Sequence, residues 1–188
     1  MEQARPPLIL ASRSPQRRAI LQRLGVAFEV RPTDVEELAT GDADEVASEN
    51  ALRKARAAAA PGELVLGVDT VVALDDALYG KPPDAAAARA MLATLGGRTH
   101  TVVSGLALVG GDRERVVTAR TAVTFRPVSD RLLDWYVGTG EWAGRAGAYA
   151  IQGAGAALVT RVEGDYENVV GLPVATLVDL VPELITGT

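Results

Sequence analysis

The sequence predicts an α/β fold in which helices flank a mixed, twisted sheet. Short apolar runs rich in β-branched residues alternate with segments that carry apolar residues at helical spacing. Two long apolar runs, 101–109 and 115–125, flank a Gly110-Gly111-Asp112 turn and predict an antiparallel hairpin. A hairpin combined with alternating strands and helices predicts a sheet of mixed direction.

The first half of the chain predicts four strands and two helices. Ser14 caps a helix that starts at Pro15 and ends at Gly25. The second helix spans 45–60, and the acidic, irregular stretch 33–44 before it predicts a loop. The strands are predicted at 8–11, 28–31, 64–74 and 77–79.

The second half predicts three more helices around the hairpin. Asp84 and Ser129 cap helices that run to residues 95 and 137, and a final helix at 174–185 is interrupted by Pro182. No repeat or linker divides the sequence, so we expect a single domain over residues 1–188. The remaining predicted segments are a strand-like piece at 148–151, a strand at 156–162 and a polar turn at 164–168.

Composition excludes several classes of protein. The 188 residues include no cysteine, which excludes a disulfide framework, a thiolate nucleophile and a cysteine-based zinc site. Apolar stretches stop well short of the roughly 18 residues that a membrane span needs. The polar start, 1–5, is not a signal peptide, so we expect a cytoplasmic protein. A formal net charge of −5 argues against nucleic-acid binding.

The basic residues are unevenly divided, since only two of the 19 are lysines, Lys54 and Lys81. An arginine-rich bias replaces lysine wherever any surface cation suffices. A lysine that remains marks a place where a compact ammonium suits better than arginine's wide planar fork. The alternative is that both lysines are ordinary surface residues.

Ser12, Ser14 and Arg17 lie where the first strand meets the first helix. A helix N-terminus offers unpaired N–H donors and the positive end of the helix dipole. Hydroxyls and arginines beside it favour an anion site, above all for phosphate. An ordinary helix cap with exposed arginines would use the same residues.

Asp69 interrupts an otherwise apolar strand, where an ionised carboxylate is costly unless it is paired or binds a metal. A strand-end aspartate bonded to backbone amides is the structural alternative.

Asn50 and Lys54 are four residues apart on a predicted helix and share one face. Their shared face indicates either part of a functional site or an ordinary solvent-exposed face of the helix.

Two further segments suit nucleotide chemistry. Lys81 lies in a loop stiffened by Gly80 and Pro82, which suits an ammonium that must meet a phosphate, although the loop lacks the Walker pattern. Gln152 lies among apolar residues and glycines, and its amide both donates and accepts hydrogen bonds. That suits recognition of a base better than binding of phosphate, and a structural turn is the alternative.

Together these segments resemble the Maf family of nucleoside triphosphate pyrophosphatases, which is related in fold to the inosine triphosphatases. The resemblance runs from about residue 8 to residue 173 in family order, and its specificity lies in the joint occurrence of the segments. The matching segments are 10–17, 49–55, 67–70, 80–82, 97–100, 146–153 and 168–173.

The resemblance implies two lobes around a central cleft and an enzyme that cleaves a nucleoside triphosphate between its α and β phosphates. It also implies a divalent metal cation (Mg²⁺ or Mn²⁺) and a homodimer. Asp69 matches the family's proton acceptor, which activates water and would bind the metal. Glu36 lies near an acidic position of the family that would help to bind the metal. The phosphate-contacting positions are matched by Ser12, Arg17, Lys54 and Lys81.

The resemblance also bears on the base. Thr70 and the segment Ile151-Gln152-Gly153 resemble the branch that acts on dTTP and UTP, whereas the branch preferring 7-methyl-GTP has other residues there. A glutamine amide can serve both faces of a uracil or thymine imide. Gln16 departs from the arginine usual in the pyrimidine branch. Gln16, Thr70 and Gln152 are therefore the predicted specificity positions.

Two alternatives differ in what the site does. One is a nucleotide-binding regulator of septum formation and cell division with little turnover, and the other is a pyrophosphatase that prefers modified nucleotides. The presence of Asp69 with Lys54 and Lys81 favours an enzyme, because a binding protein does not need a water-activating acid. His100, the one histidine, is expected to have a structural role outside the site chemistry.

Overall fold

The computed structural model of the chain describes residues 7–111 and 113–186, and it confirms the predicted α/β class. Residues 1–5 and Asp112, which belong to the predicted N-terminus and hairpin turn, lie outside the described residues. The strands are β1 (Leu8–Ala11), β2 (Phe28–Val30), β3 (Leu64–Leu74), β4 (Ala77–Tyr79), β5 (Thr99–Gly110), β6 (Arg113–Phe125) and β7 (Val159–Glu163).

These strands form one seven-stranded sheet of mixed direction. Its order is β2-β1-β3-β5-β6-β7, with β4 paired to β3. The pairs that β1 makes with β2 and β3 are parallel, and the remaining pairs are antiparallel. Strands β5 and β6 form the long hairpin that the sequence predicts.

The helices start at side-chain caps, as their sequences predict. Ser14, Asp84 and Ser129 each accept a hydrogen bond from a backbone N–H in the first turn of α1, α3 and α4. Helix α2 begins two residues earlier than predicted because Asp42 caps it. Among the described residues, no helix combines the length and apolar character that crossing a membrane requires. The helices are α1 (Pro15–Arg23), α2 (Ala43–Ala58), α3 (Ala85–Leu95), α4 (Asp130–Gly138), α5 (Tyr166–Val170), α6 (Val174–Leu180) and α7 (Glu183–Thr186).

Helices cover both faces of the sheet. Leu8 and Leu10 of β1 pack in one core with residues of α1 and α6. Ile9 and Ala11, which point to the opposite face, pack against the alanines of α2. The burial of all four residues of β1 explains why this short strand is continuously apolar.

Two glycines of the sheet allow α2 to approach closely. A Cβ atom at Gly67 would lie 2.1 Å from the carbonyl oxygen of Ala51, and one at Gly105 would lie 2.2 Å from that of Ala47. Gly105 pairs with Asp69 across β5 and β3. The helix backbone therefore rests directly on the sheet beside Asp69.

A separate apolar core forms beyond the end of β1. It joins Leu92 of α3, Phe125 of β6 and Tyr136 of α4 to Tyr149, which follows α4 in the chain. The cleft predicted between two lobes lies between this core and the one that contains α1.

The Gly-rich stretch after α4 differs from its prediction. Residues 148–151 are not strand-like, because Gly147 (φ 70°) and Ala148 (φ 62°) take left-handed conformations that bend the chain into 3₁₀ turns. The strand predicted at 156–162 begins later, at Val159, after another 3₁₀ turn.

The turn predicted at 164–168 is also wrong, because helix α5 occupies most of it. The carboxylate of Asp165 accepts a hydrogen bond from the N–H of Glu167 and caps this short helix. Asn168, in α5, is buried and donates to the backbone of β5 and β6.

Candidate active site

An open cavity of about 790 Å³ lies at the end of β1, between α1 and the Gly-rich stretch after α4. It is lined by the segment from Ala11 to Arg17, by the loop at 33–37 and by the segment from Gly140 to Gly153. The cavity gathers eight of the nine predicted site residues: Ser12, Gln16, Arg17, Lys54, Asp69, Thr70, Lys81 and Gln152.

Arg17 is a buried cation, and within the described part of the chain its side chain donates hydrogen bonds to neutral oxygens alone. Its guanidinium donates from Nε to the carbonyl of Gly171 (2.8 Å), from Nη1 to Ser12 Oγ (2.9 Å) and from Nη2 to Thr70 Oγ1 (3.1 Å). Burial lowers its pKa, against the opposing effect of Asp69 and Glu37 nearby. A buried guanidinium without a carboxylate in direct contact is suited to an incoming anion.

The start of α1 holds its hydroxyls in a local network. The N–H of Ser14 donates to Ser12 Oγ (3.2 Å), and the hydroxyl of Ser14 donates to Gln16 Oε1 (3.1 Å). The side-chain oxygen of Gln16 thereby accepts a hydrogen bond, and its NH₂ group is the donor that this side chain can offer a ligand.

Asp69 is 7% exposed and both of its oxygens have partners. Lys54 Nζ lies 2.6 Å from Oδ1, and Asn50 Nδ2 donates to Oδ2 at 3.0 Å. Lys54 also lies 2.8 Å from Glu37 Oε1. The helical face shared by Asn50 and Lys54 is therefore the face that meets Asp69, and the sequence alternative of a solvated stripe is wrong.

The acidic loop at 34–37 points Glu37, not Glu36, at this group. Glu36 is exposed, lies outside the cavity lining and accepts a hydrogen bond from Arg53 through its backbone carbonyl (2.9 Å). Its neighbour Glu37 lines the cavity and pairs with Lys54. The predicted metal role of Glu36 stays a prediction, and among the described residues no contact of its side chain supports it.

Lys81 stands on the other side of the cavity in an exposed loop. The N–H of Gly147 donates to the carbonyl of Gly80 (3.1 Å), which ties this loop to the Gly-rich stretch. Among the described residues, no carboxylate pairs with Lys81. Its ammonium is therefore available to an anion in the cavity.

His100 lies outside the cavity lining, as predicted. It is 1% exposed, and its Nε2 lies 3.0 Å from the hydroxyl of Tyr149, a residue that lines the cavity. The rings of His100, Phe125 and Tyr149 pack edge to face. His100 thus supports the wall of the cavity from behind.

Comparison with known proteins agrees with this geometry. The family model described as Maf-like protein matches residues 7–184, which is nearly the whole chain. The chain belongs to the Maf family. The predicted family membership is thereby confirmed.

Several relatives in the Maf family share almost half of their residues with this chain. The protein of Symbiobacterium thermophilum is 48% identical over 181 residues, covering 94% of this chain and 93% of its own. That of Moorella thermoacetica is 49% identical over 179 residues, covering 92% of each chain. That of Pyrococcus furiosus is 42% identical over 180 residues, covering 93% of each. All three are named dTTP/UTP pyrophosphatase.

The carboxylates that line this Maf cavity fit a divalent cation only when substrate phosphates supply further ligands. The carboxylates of Asp69 and Glu37 line the cavity, and both pair with Lys54. Across the described part of the chain, no three acidic or histidine side chains form a metal-binding group. Mg²⁺ is typically held by one or two carboxylates together with substrate phosphates and water. These residues fit that arrangement, not an all-protein cage.

Two cavity residues, Glu141 and Arg145, were not singled out from the sequence. Both belong to the Gly-rich stretch, where periodicity is absent and the chain conformation is set by glycine dihedrals. Only the three-dimensional path of this segment brings them to the cavity.

Proposed function

We propose that this protein hydrolyses nucleoside triphosphates, with dTTP and UTP as substrates, and releases the nucleoside monophosphate and pyrophosphate. Membership of the Maf family and the shared name of the three relatives support the reaction and the bases. One observation in the site carries the proposal. A carboxylate held by Lys54 and Asn50 lies in a cavity beside Arg17, a buried cation whose side-chain hydrogen bonds among the described residues go to three neutral oxygens.

The cations suit a triphosphate at this site. Arg17 retains N–H groups beyond the three that its neutral partners use, and charge-assisted bonds to phosphate are stronger than neutral ones. Ser12 lies beside it at the start of α1, where the helix dipole favours an anion. Lys54 would turn from the carboxylates of Asp69 and Glu37 to a phosphate, and Lys81 would approach from its own loop.

Asp69 is the proposed general base. In the proposed step it takes a proton from a water molecule, whose oxygen attacks the α-phosphorus while the bond to the bridging oxygen breaks and pyrophosphate leaves. Asn50 orients the carboxylate through Oδ2. Such a reaction depends mainly on positioning and on neutralisation of charge, which these side chains supply.

We expect Mg²⁺ or Mn²⁺ to be held by Asp69 together with phosphate oxygens, with Glu37 beside them. The ion, when bound, would neutralise negative charge on the phosphates. The assignment of Glu36 to the metal stays a prediction without a supporting contact.

The base would be recognised by Gln152 and Gln16, which both line the cavity. Thr70 contributes differently, because its hydroxyl is engaged with Arg17 (3.1 Å) and with Ser104 Oγ (2.8 Å). We expect Thr70 to act on the substrate through Arg17.

A single domain over 1–188, a homodimer and a cytoplasmic site of action remain predictions.

The test is a panel of nucleoside triphosphates that includes modified bases, each assayed for pyrophosphate release with Mg²⁺ or Mn²⁺. We expect pyrophosphate from dTTP and UTP above all others. Preferred release from modified nucleotides would reassign the substrate. Absence of release from every nucleotide would contradict the enzymatic function and favour a binding protein.

A further inference from the structure

The loop that carries Gln152 is fixed at both ends by one neighbouring segment. The N–H of Ala150 donates to the hydroxyl oxygen of Tyr136 at 3.0 Å. The N–H of Ala154 donates to Glu141 Oε2 at 2.7 Å. Tyr136 lies in α4 and Glu141 lies three residues after its end. The loop at 150–154 is therefore anchored at both ends to one continuous segment of the chain.

Gly153 shows how closely the Glu141 carboxylate fits this loop. A Cβ atom at Gly153 would lie 2.3 Å from Oε2 and 2.6 Å from Oε1 of Glu141. The φ of Gly153, −112°, is one that an L-residue can adopt. An alanine here would therefore displace the Glu141 carboxylate, which ends a flexible side chain, without a left-handed φ of its own.

Glu141 also differs electrostatically from the other carboxylates of the cavity. Asp69 and Glu37 pair with Lys54, and Asp34 lies 3.9 Å from Arg13. Within residues 7–111 and 113–186, no cation pairs with Glu141, and its recorded acceptor contact is the backbone N–H of Ala154. An unneutralised carboxylate repels a triphosphate, so this part of the cavity suits the nucleoside.

We infer that Glu141 is a positioning residue that holds Gln152 in register with the base and so sets the discrimination between thymine and cytosine nucleotides. The inference rests on the proposed function. Thymine presents a carbonyl and an N–H where cytosine presents an amine and a bare nitrogen. A glutamine amide discriminates between these patterns only while its orientation is fixed.

The first test compares kcat/KM for dTTP and dCTP in Glu141→Ala and Glu141→Gln. We expect Glu141→Ala to lower the dTTP-to-dCTP ratio by about tenfold, the scale of one lost hydrogen bond to the base, mainly by raising KM for dTTP. Glu141→Gln should keep most of the ratio, because its amide oxygen still accepts from Ala154. Glu45→Ala, which removes an exposed glutamate outside the cavity, is the matched control.

The second test uses Gly153. Gly153→Ala should lower the ratio as Glu141→Ala does, because the new Cβ displaces the carboxylate. Adding Gly153→Ala to Glu141→Ala should cause little further loss, since the atoms that it would meet are gone. Likewise Gln152→Ala should add little to Glu141→Ala, because residues that act as one unit are non-additive.

The outcomes separate the two claims. An unaltered protein that releases no pyrophosphate from any triphosphate contradicts the proposed function, and the inference fails with it. An active protein whose Glu141→Ala variant keeps its dTTP-to-dCTP ratio contradicts the inference alone. Losses that simply add in the double variants also contradict it. Gly153→Ala retains the side chains of Glu141 and Gln152, and it serves as the test if Glu141→Ala does not fold.

Discussion

The ammonium nitrogen of Lys54 lies 2.6 Å from Oδ1 of Asp69, and their side chains are only 12% and 10% exposed. Removing water from the contact strengthens it, and losing one partner would leave a nearly buried charge. The same ammonium also reaches Glu37. Lys54 therefore links the proposed base to the acidic loop.

Lys54→Arg should impair the enzyme although it keeps the charge. A planar guanidinium is wider than an ammonium and does not fit between two carboxylates placed 2.6 and 2.8 Å from one nitrogen. We expect kcat/KM for dTTP to fall by at least about tenfold, or about 1.4 kcal/mol. Arg56→Lys, an exchange in an exposed ion pair, should leave it close to normal. If Lys54→Arg were as active as the unaltered protein, the claim that position 54 requires a lysine would be wrong.

Inorganic pyrophosphate should stabilise the protein against thermal unfolding through Arg17. An anion satisfies a buried guanidinium whose three described acceptors are neutral. A ligand at about 100 times its Kd adds about 2.7 kcal/mol. Arg17→Ala should lose most of the increase in Tm, whereas Arg18→Ala, at an exposed neighbouring position, should retain it. The same increase in both variants would contradict the role of Arg17.

His100 should not titrate near neutral pH. Burial lowers its pKa from 6.5 to about 4, because the charged form is penalised away from water. Between these pH values the unfolded chain binds a proton that the folded protein does not. The free energy of unfolding is therefore unaffected by His100 above pH 6.5. It decreases as the pH falls towards 4, by on the order of 3 kcal/mol in total.

The chain has one histidine, so its imidazole resonances are unambiguous in an NMR titration. We expect no shift between pH 8 and pH 5.5. Denaturant unfolding at pH 7 and pH 5 should show the loss of stability on the acid side. A midpoint near 6.5 would contradict the buried, neutral imidazole.

Gly105→Ala should destabilise the fold and weaken the site together. Its Cβ would lie 2.2 Å from the carbonyl oxygen of Ala47, so α2 would have to move off the sheet. Overpacking of this kind costs about 1–3 kcal/mol, and the movement would carry Lys54 away from Asp69. Gly138→Ala, where a Cβ meets nothing within 4 Å, is the control for unfolding and turnover. Unchanged stability of Gly105→Ala would show that α2 packs more loosely.

Much of the fold could be predicted because local signals agreed with the final packing. The strands β1, β3 and β4 have their predicted bounds, and the helix caps at Ser14, Asp84 and Ser129 are confirmed. Apart from shifts of about two residues at the ends of elements such as α2, the errors fall in the segment after α4, where left-handed conformations at Gly147 and Ala148 leave no periodic pattern. There the path of the chain depends on tertiary contacts such as that between Gly147 and Gly80.

The site residues also divide into those that the sequence marks and those that only the folded chain brings to the site. Asp69 and Arg17 are marked in the sequence because charge in an apolar strand or beside a helix cap has few inexpensive explanations. Lys54 is marked as one of only two lysines. Glu37 could not be told from Glu36, because adjacent acidic residues in an irregular loop carry no pattern that fixes which one turns inward. Glu141 was missed because its partner is a backbone N–H that no sequence signal marks.

The central claim is that Asp69 activates a water molecule for attack on the α-phosphorus, and hydrolysis of dTTP in ¹⁸O-labelled water with Mg²⁺ tests it most directly. We predict equimolar dTMP and pyrophosphate, with the label in dTMP alone. Asp69→Asn should abolish turnover while still binding dTTP. Label in pyrophosphate, release of orthophosphate, or near-normal turnover by Asp69→Asn would contradict the claim.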